Sequence, residues 1–265
     1  MFIESLYILP LGLIAGVVAG YLGIGGGAIY LPLLFLVFEG ECAPEILPKV
    51  CVGTSMGAVF LTSLSAGTAH FRMKNVLVEK WIALSSGALI GSFSGGMIAG
   101  SLPSYYLRIV IGVVMILSAI RLLIPRKETP GKESSVSGNV WLFPLGIIIG
   151  GVASTVGIGG GILAVPILIG FWRLESRYAA GTSSAMTMIL ALGGLIGHIL
   201  WGGGDFEAGR GFLGSVSLEK ALLLGIPGAI GAPVGVSLHK KFKSGVFKII
   251  FSVLLILVAI KIVFL

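Results

Sequence analysis

The sequence predicts a polytopic all-α membrane protein, a helical bundle of two inverted-topology repeats of about five segments each, with glycine-broken short helices in both. Three observations carry this. Apolar residues make up 56% of the 265 and charged ones only 11%, whereas a soluble domain carries about 25% charged residues. Apolar stretches of roughly 20 residues, the length that crosses a bilayer, follow one another in series, without the alternating polarity of a transmembrane β-barrel. Finally, Gly23-Ile24-Gly25-Gly26-Gly27 returns as Gly157-Ile158-Gly159-Gly160-Gly161, and each copy is followed five residues later by a proline, Pro32 or Pro166.

The first segment is expected from about Ser5 to Leu22, as a retained span rather than a removed leader, because Glu4 stands where a basic leader would be. Gly12, Gly16 and Gly20 recur every fourth residue along it and would let another helix approach closely. Segment two, about Ala28 to Phe38, is too short to span unaided and reads as a half-helix opening at the glycines. Segment three, about Val50 to His70, is rich in hydroxyls, among them Thr54, Ser55, Thr62 and Ser63. Segments four (about Trp81 to Gly100) and five (about Tyr105 to Ile124) complete the first half, residues 1–124. Residues 125–139 carry Pro, Gly, Ser and charges, and read as a cytoplasmic linker.

The second half, 140–265, restarts the programme with segments at about Val140 to Val156, Ile162 to Trp172, Tyr178 to Trp201, Leu218 to Leu238 and Gly245 to Leu265. Pro10, Gly12, Gly16, Gly23 and Pro32 fall on Pro144, Gly146, Gly150, Gly157 and Pro166 at one constant offset. Gly53-Thr54-Ser55 falls on Gly181-Thr182-Ser183, and His70 on His198, at a second. An odd number of segments per half puts the two copies on opposite sides of the membrane. Charge tests this independently. With the Arg72 loop inside and alternation from there, 13 of the 18 basic residues lie inside and 5 outside, as the positive-inside rule requires. That rule also accounts for the net charge of +7 better than nucleic-acid binding does. Inverted repeats of this kind build many secondary transporters, with substrate near the midplane between discontinuous helices. Duplication in a structural protein or a channel is the alternative.

No Asp, Glu, Lys or Arg falls within the apolar segment cores, so a buried carboxylate relay is not expected. No nucleophile–base set or metal cluster emerges either; the expectation is no enzyme, no metal and no cofactor, with an intramembrane enzyme kept as a third hypothesis. What remains is backbone and hydroxyls. Helix N-termini offer unpaired amides and roughly half a positive charge. Gly25, Gly26, Gly27, Gly159, Gly160 and Gly161, with Thr54, Ser55, Thr182 and Ser183, are therefore the candidate substrate-binding residues for an anion; close helix packing is the other role open to the glycines. His70 and His198 are candidates for gating or proton coupling, against a plain structural hydrogen-bonding role. Cys42 and Cys51 flank a loop and could be bonded in an oxidising compartment or remain two thiols. The G-x-G-x-x-A pattern at Gly23 to Ala28 follows a membrane-length apolar run rather than a strand, and is not read as a dinucleotide site.

At these residues, with the paired glycine loops and their prolines, the Gly-Thr-Ser openings and the repeat, the chain resembles the sulfite exporter TauE/SafE family across essentially its whole length. The resemblance implies a transporter of small sulfur-containing or organic anions, of the sulfite, organosulfonate, sulfoacetate or thiosulfate class, in the inner cell membrane. The expected partners are that anion, membrane lipid, a proton or sodium ion for coupling, and a second copy of the chain. An anion channel using the same site is the alternative.

Overall fold

The computed structural model describes residues 2–123, 139–202, 211–238 and 245–264. Of the expected linker only Asn139 lies among them, and His239 lies outside. Ten helices are described: α1 (Phe2–Leu22), α2 (Gly27–Phe38), α3 (Leu47–Arg72), α4 (Val78–Ser101), α5 (Ser104–Leu123), α6 (Leu142–Val156), α7 (Gly161–Gly170), α8 (Ser176–Trp201), α9 (Leu218–Leu238) and α10 (Gly245–Phe264). Five of them, α3, α4, α5, α8 and α9, are long and apolar enough to cross a membrane. With 12 and 10 residues, α2 and α7 extend only about 18 and 15 Å at 1.5 Å per residue. They stop well short of a hydrocarbon layer of about 30 Å.

Burial follows the solvent of a membrane protein. Leu117, Ile148, Ile230 and Leu257 point outward, while Thr54, Ser55, Thr62, Thr182, Ser183 and Thr187 are fully buried. Lipid offers a hydroxyl no hydrogen-bond partner, so these six are turned inward, and exposed ones such as Thr68, Ser86 and Ser94 donate to carbonyls of their own helix.

The helices pack as a repeated scheme. α1 lies along α9 and α6 along α4; α3 packs on α8 and α9, α8 on α3 and α4; α5 pairs with α10; α2 rests on α3 and α7 on α8. Exchanging each helix of the first five with its counterpart in the second returns the same pairings. The seams are made by glycine: a Cβ on Gly16 would lie 2.0 Å from the carbonyl oxygen of Gly228, and one on Gly91 2.1 Å from that of Ile147. α3 and α8 run antiparallel, since Gly57 approaches Leu195 near one end and Gly67 approaches Ala185 near the other.

Ends of α5, α9 and α10 meet the segment between α2 and α3. Lys261 pairs with Glu39 at 2.6 Å, Lys220 faces Glu41 at 3.8 Å, and Arg108 and Ser104 donate to the carbonyls of Pro44 and Glu45. All these groups lie on the side that the basic-residue count puts outside. Cys42 and Cys51 are both free thiols. In the loop, burial and then the neighbouring Glu41 carboxylate push the Cys42 thiol upward in pKa, which keeps it protonated.

Two features differ from the sequence expectation. Segment six opens with a 3-10 turn at Asn139–Trp141, and a small hairpin pairs Phe212–Leu213 with Val216–Ser217 ahead of α9. Two-residue strands are too short to show an alternating pattern. Gly214, in the left-handed region at φ 57, turns the chain, and the Ser215 amide donates to the His198 carbonyl at 3.2 Å.

Candidate functional site

Each glycine loop starts as a helix end. The amides of Gly23 and Ile24 both turn back to the Ala19 carbonyl, and in the second copy the amides of Gly157 and Ile158 both reach Ala153. Glycine allows this because Gly23 and Gly157 adopt left-handed backbones, φ 71 and 75. The next helix then opens. The Gly26 carbonyl accepts from the amides of Ile29 (2.9 Å) and Tyr30 (3.0 Å), and that of Gly160 from Leu163 (3.2 Å) and Ala164 (2.9 Å). The amides between, Gly25 to Ala28 and Gly159 to Ile162, have no backbone acceptor among the described residues. These are the orphan donors of a helix N-terminus.

The two loops meet. A Cβ on Gly27 would lie 2.3 Å from the carbonyl carbon of Ile158, and one on Gly161 2.4 Å from the Cα of Ile24. Backbone therefore presses on backbone, and the starts of α2 and α7 are brought side by side. Both loops are buried, with α3 and α8 flanking them: Val52 lies against Gly157, Ala180 against Gly23, and the Thr187 methyl against Gly25. Among the described buried residues there is no Asp or Glu. Two positive helix ends thus converge without a fixed negative charge to balance them.

The hydroxyls are used unevenly. Thr54 accepts from the Ser217 amide at 3.0 Å and Thr182 from the Leu77 amide at 3.1 Å. Each threonine so ties its own long helix to the start of α9 or α4 in the opposite half, and keeps its O–H proton. Ser55 donates to the Gly157 carbonyl at 2.7 Å. Ser183 is fully buried and its hydroxyl has no partner among the described residues.

The histidines stand at opposite ends of the central α3–α8 pair. His198 contacts the Ser154 carbonyl through Nε2 (3.1 Å) and Ser215 through Nδ1 (3.4 Å); His70 contacts Asn75 through Nδ1 at 3.5 Å. Ser215 and Asn75 in turn press on Gly53 and Gly181, the openings of the opposite long helices. Each histidine therefore sits beside the Gly-Thr-Ser motif of the opposite half, and His198 also reaches the last turn of α6, which leads into the second glycine loop.

Three residues near the site carry no sequence signal of their own. Tyr30 lays its ring against Gly26 and bonds Thr62 through its hydroxyl at 2.7 Å. Thr187 wedges its methyl between the loops. Lys220, in the first turn of α9, is buried; it follows a loop in sequence, and its ammonium faces Glu41 at 3.8 Å.

The sulfite exporter TauE/SafE family model matches residues 8–262. Curated relatives are similar over nearly their full length. One is the probable membrane transporter protein MJ0441 of Methanocaldococcus jannaschii, 30% identical over 95% of this chain and 94% of that protein. Another is the probable membrane transporter protein YunE of Bacillus subtilis, 25% identical over 96% and 95%. A probable membrane transporter protein of Haemophilus influenzae is 26% identical over 98% of both. No solved structure matches the chain.

Proposed function

Since the chain belongs to the sulfite exporter TauE/SafE family and is a multi-pass membrane transporter, we propose that it is a secondary transporter of small anions, best suited to sulfur oxyanions of the sulfite, organosulfonate, sulfoacetate or thiosulfate class. The observation that carries this reading is the meeting of two uncapped helix N-termini, α2 and α7, inside the protein, with no buried carboxylate among the described residues. Amides aimed at a charged oxygen are worth about 1.5–3 kcal/mol each. Several together offset much of the cost of drying a small anion. Antiparallel α3 and α8 support an inverted arrangement of the two halves. On that reading, rocking of one half against the other exposes the loops alternately to each side, with the inner cell membrane as the setting and an ion gradient as the drive.

Counterflow tests the mechanism. Proteoliposomes preloaded with unlabelled sulfite are expected to take up radiolabelled sulfite faster than empty ones. Equal rates, with flux proportional to the gradient alone, would identify a channel instead.

A further inference from the structure

We propose that the anion site is lopsided: its direct ligands are the open amides at the start of α2 together with the Ser183 hydroxyl, and the second glycine loop is the wall that holds the first in place. This rests on the anion-site reading above and refines it.

Residues three and four apart share a helix face. On α8, Ala180 touches Gly23 and Thr187 touches Gly25; Ser183 lies between them, as its counterpart Ser55 lies beyond Val52, which touches Gly157. Because Ser55 reaches the Gly157 carbonyl, the repeat places Ser183 at the first loop. It is fully buried and unpartnered among the described residues. A buried hydroxyl without a partner is costly, and a bound anion would supply the missing acceptor. Its counterpart Ser55 is already committed to the Gly157 carbonyl. Thr187 does not compete, because its hydroxyl donates to the Ser183 carbonyl at 2.9 Å.

The backbones differ in the same sense. Gly25 and Gly26 are both left-handed, φ 77 and 86, whereas Gly159 is left-handed at φ 77 but Gly160 returns to the right-handed region at φ −69. The two helix starts therefore present their amides differently. Their surroundings differ too. Gly160 is enclosed by the methyl groups of Met186 and Leu190, while Gly26 lies under the Tyr30 ring, whose hydroxyl is held by Thr62. The serine of the first loop's α8 wall is uncommitted, whereas the serine at the second loop is spent on the Gly157 carbonyl and Gly160 is closed in by methyl groups.

The experiment uses the purified full chain in detergent, with sulfite, thiosulfate and sulfoacetate as probes and binding read by calorimetry. Ser183→Ala is expected to weaken the Kd of the probe that binds wild type by about tenfold or more, as loss of one hydrogen bond to a charged group requires. The melting temperature without ligand should stay unchanged or rise, because an unpaired buried polar group is removed. Ser183→Cys, nearly isosteric and a weaker donor, should fall between, and carries the test if the alanine variant does not fold. Ser55→Ala should instead lower the unliganded melting temperature by stranding the Gly157 carbonyl. If Ser183→Ala binds as wild type does, the lopsided site is wrong while the anion reading stands. If wild type shows no saturable binding of any of the three anions, the anion reading fails and this inference with it.

Discussion

Gly27→Ala is expected to cut transport to about a tenth or less while leaving the protein in the membrane. The added Cβ would lie 2.3 Å from both the carbonyl carbon and the oxygen of Ile158, and 2.7 Å from the Gly157 oxygen. These are backbone atoms, which cannot swing aside as a side-chain tip can. Overpacking of a close-packed interior costs about 1–3 kcal/mol, and here relief comes only by moving the two helix starts apart. A loss of about 1.4 kcal/mol in anion binding is a factor of ten in affinity, so counterflow at low substrate should fall to about a tenth or less. Gly170→Ala is the control: it sits at the end of the same kind of short helix with nothing within 4 Å of its added Cβ, and should transport normally. Counterflow equal to wild type in Gly27→Ala would mean that the contact between loops is not needed for function.

Gly16→Leu should act on assembly rather than on the site. The α1–α9 seam closes with the Gly16 Cβ position 2.0 Å from the Gly228 oxygen, and that of Gly235 1.9 Å from the Val17 oxygen. A leucine there separates the two helices along their length, at an expected cost of about 3 kcal/mol. In the membrane, helix association relies on this close approach and not on a hydrophobic driving force. Size-exclusion of the solubilised protein should show loss of the monodisperse peak. Gly91→Leu, on the equivalent α4–α6 seam, should do the same. A monodisperse peak and an unchanged melting temperature for both would remove the seams from the account of stability.

Element positions were legible because the bilayer imposes a long apolar period: α9 spans Leu218–Leu238 as expected, and α2 and α7 begin within a residue of the glycines that start them. The glycine loops could be placed in sequence for the same reason, since nothing else breaks so apolar a run. What the sequence could not show is partnership. Thr54 and Ser55 look alike on paper, yet one accepts an amide from the start of α9 and the other donates into the opposite glycine loop. Ser55 and Ser183 are equivalent in the repeat but differ in whether a carbonyl has come within reach. Tyr30 and Lys220 meet Thr62 and Glu41 only through the tertiary fold. The 212–217 hairpin was hidden because its strands are shorter than one full alternation of polarity.

The most direct measurement is a structure of the protein in complex with selenite, a pyramidal oxyanion like sulfite whose selenium can be located by anomalous scattering. The anion should lie at the start of α2, its oxygens within about 3 Å of the Gly25 to Ala28 amides and of the Ser183 hydroxyl. Selenite bound elsewhere, beside Lys220 for example, with those amides left open, would contradict the claim that converging helix ends hold the substrate.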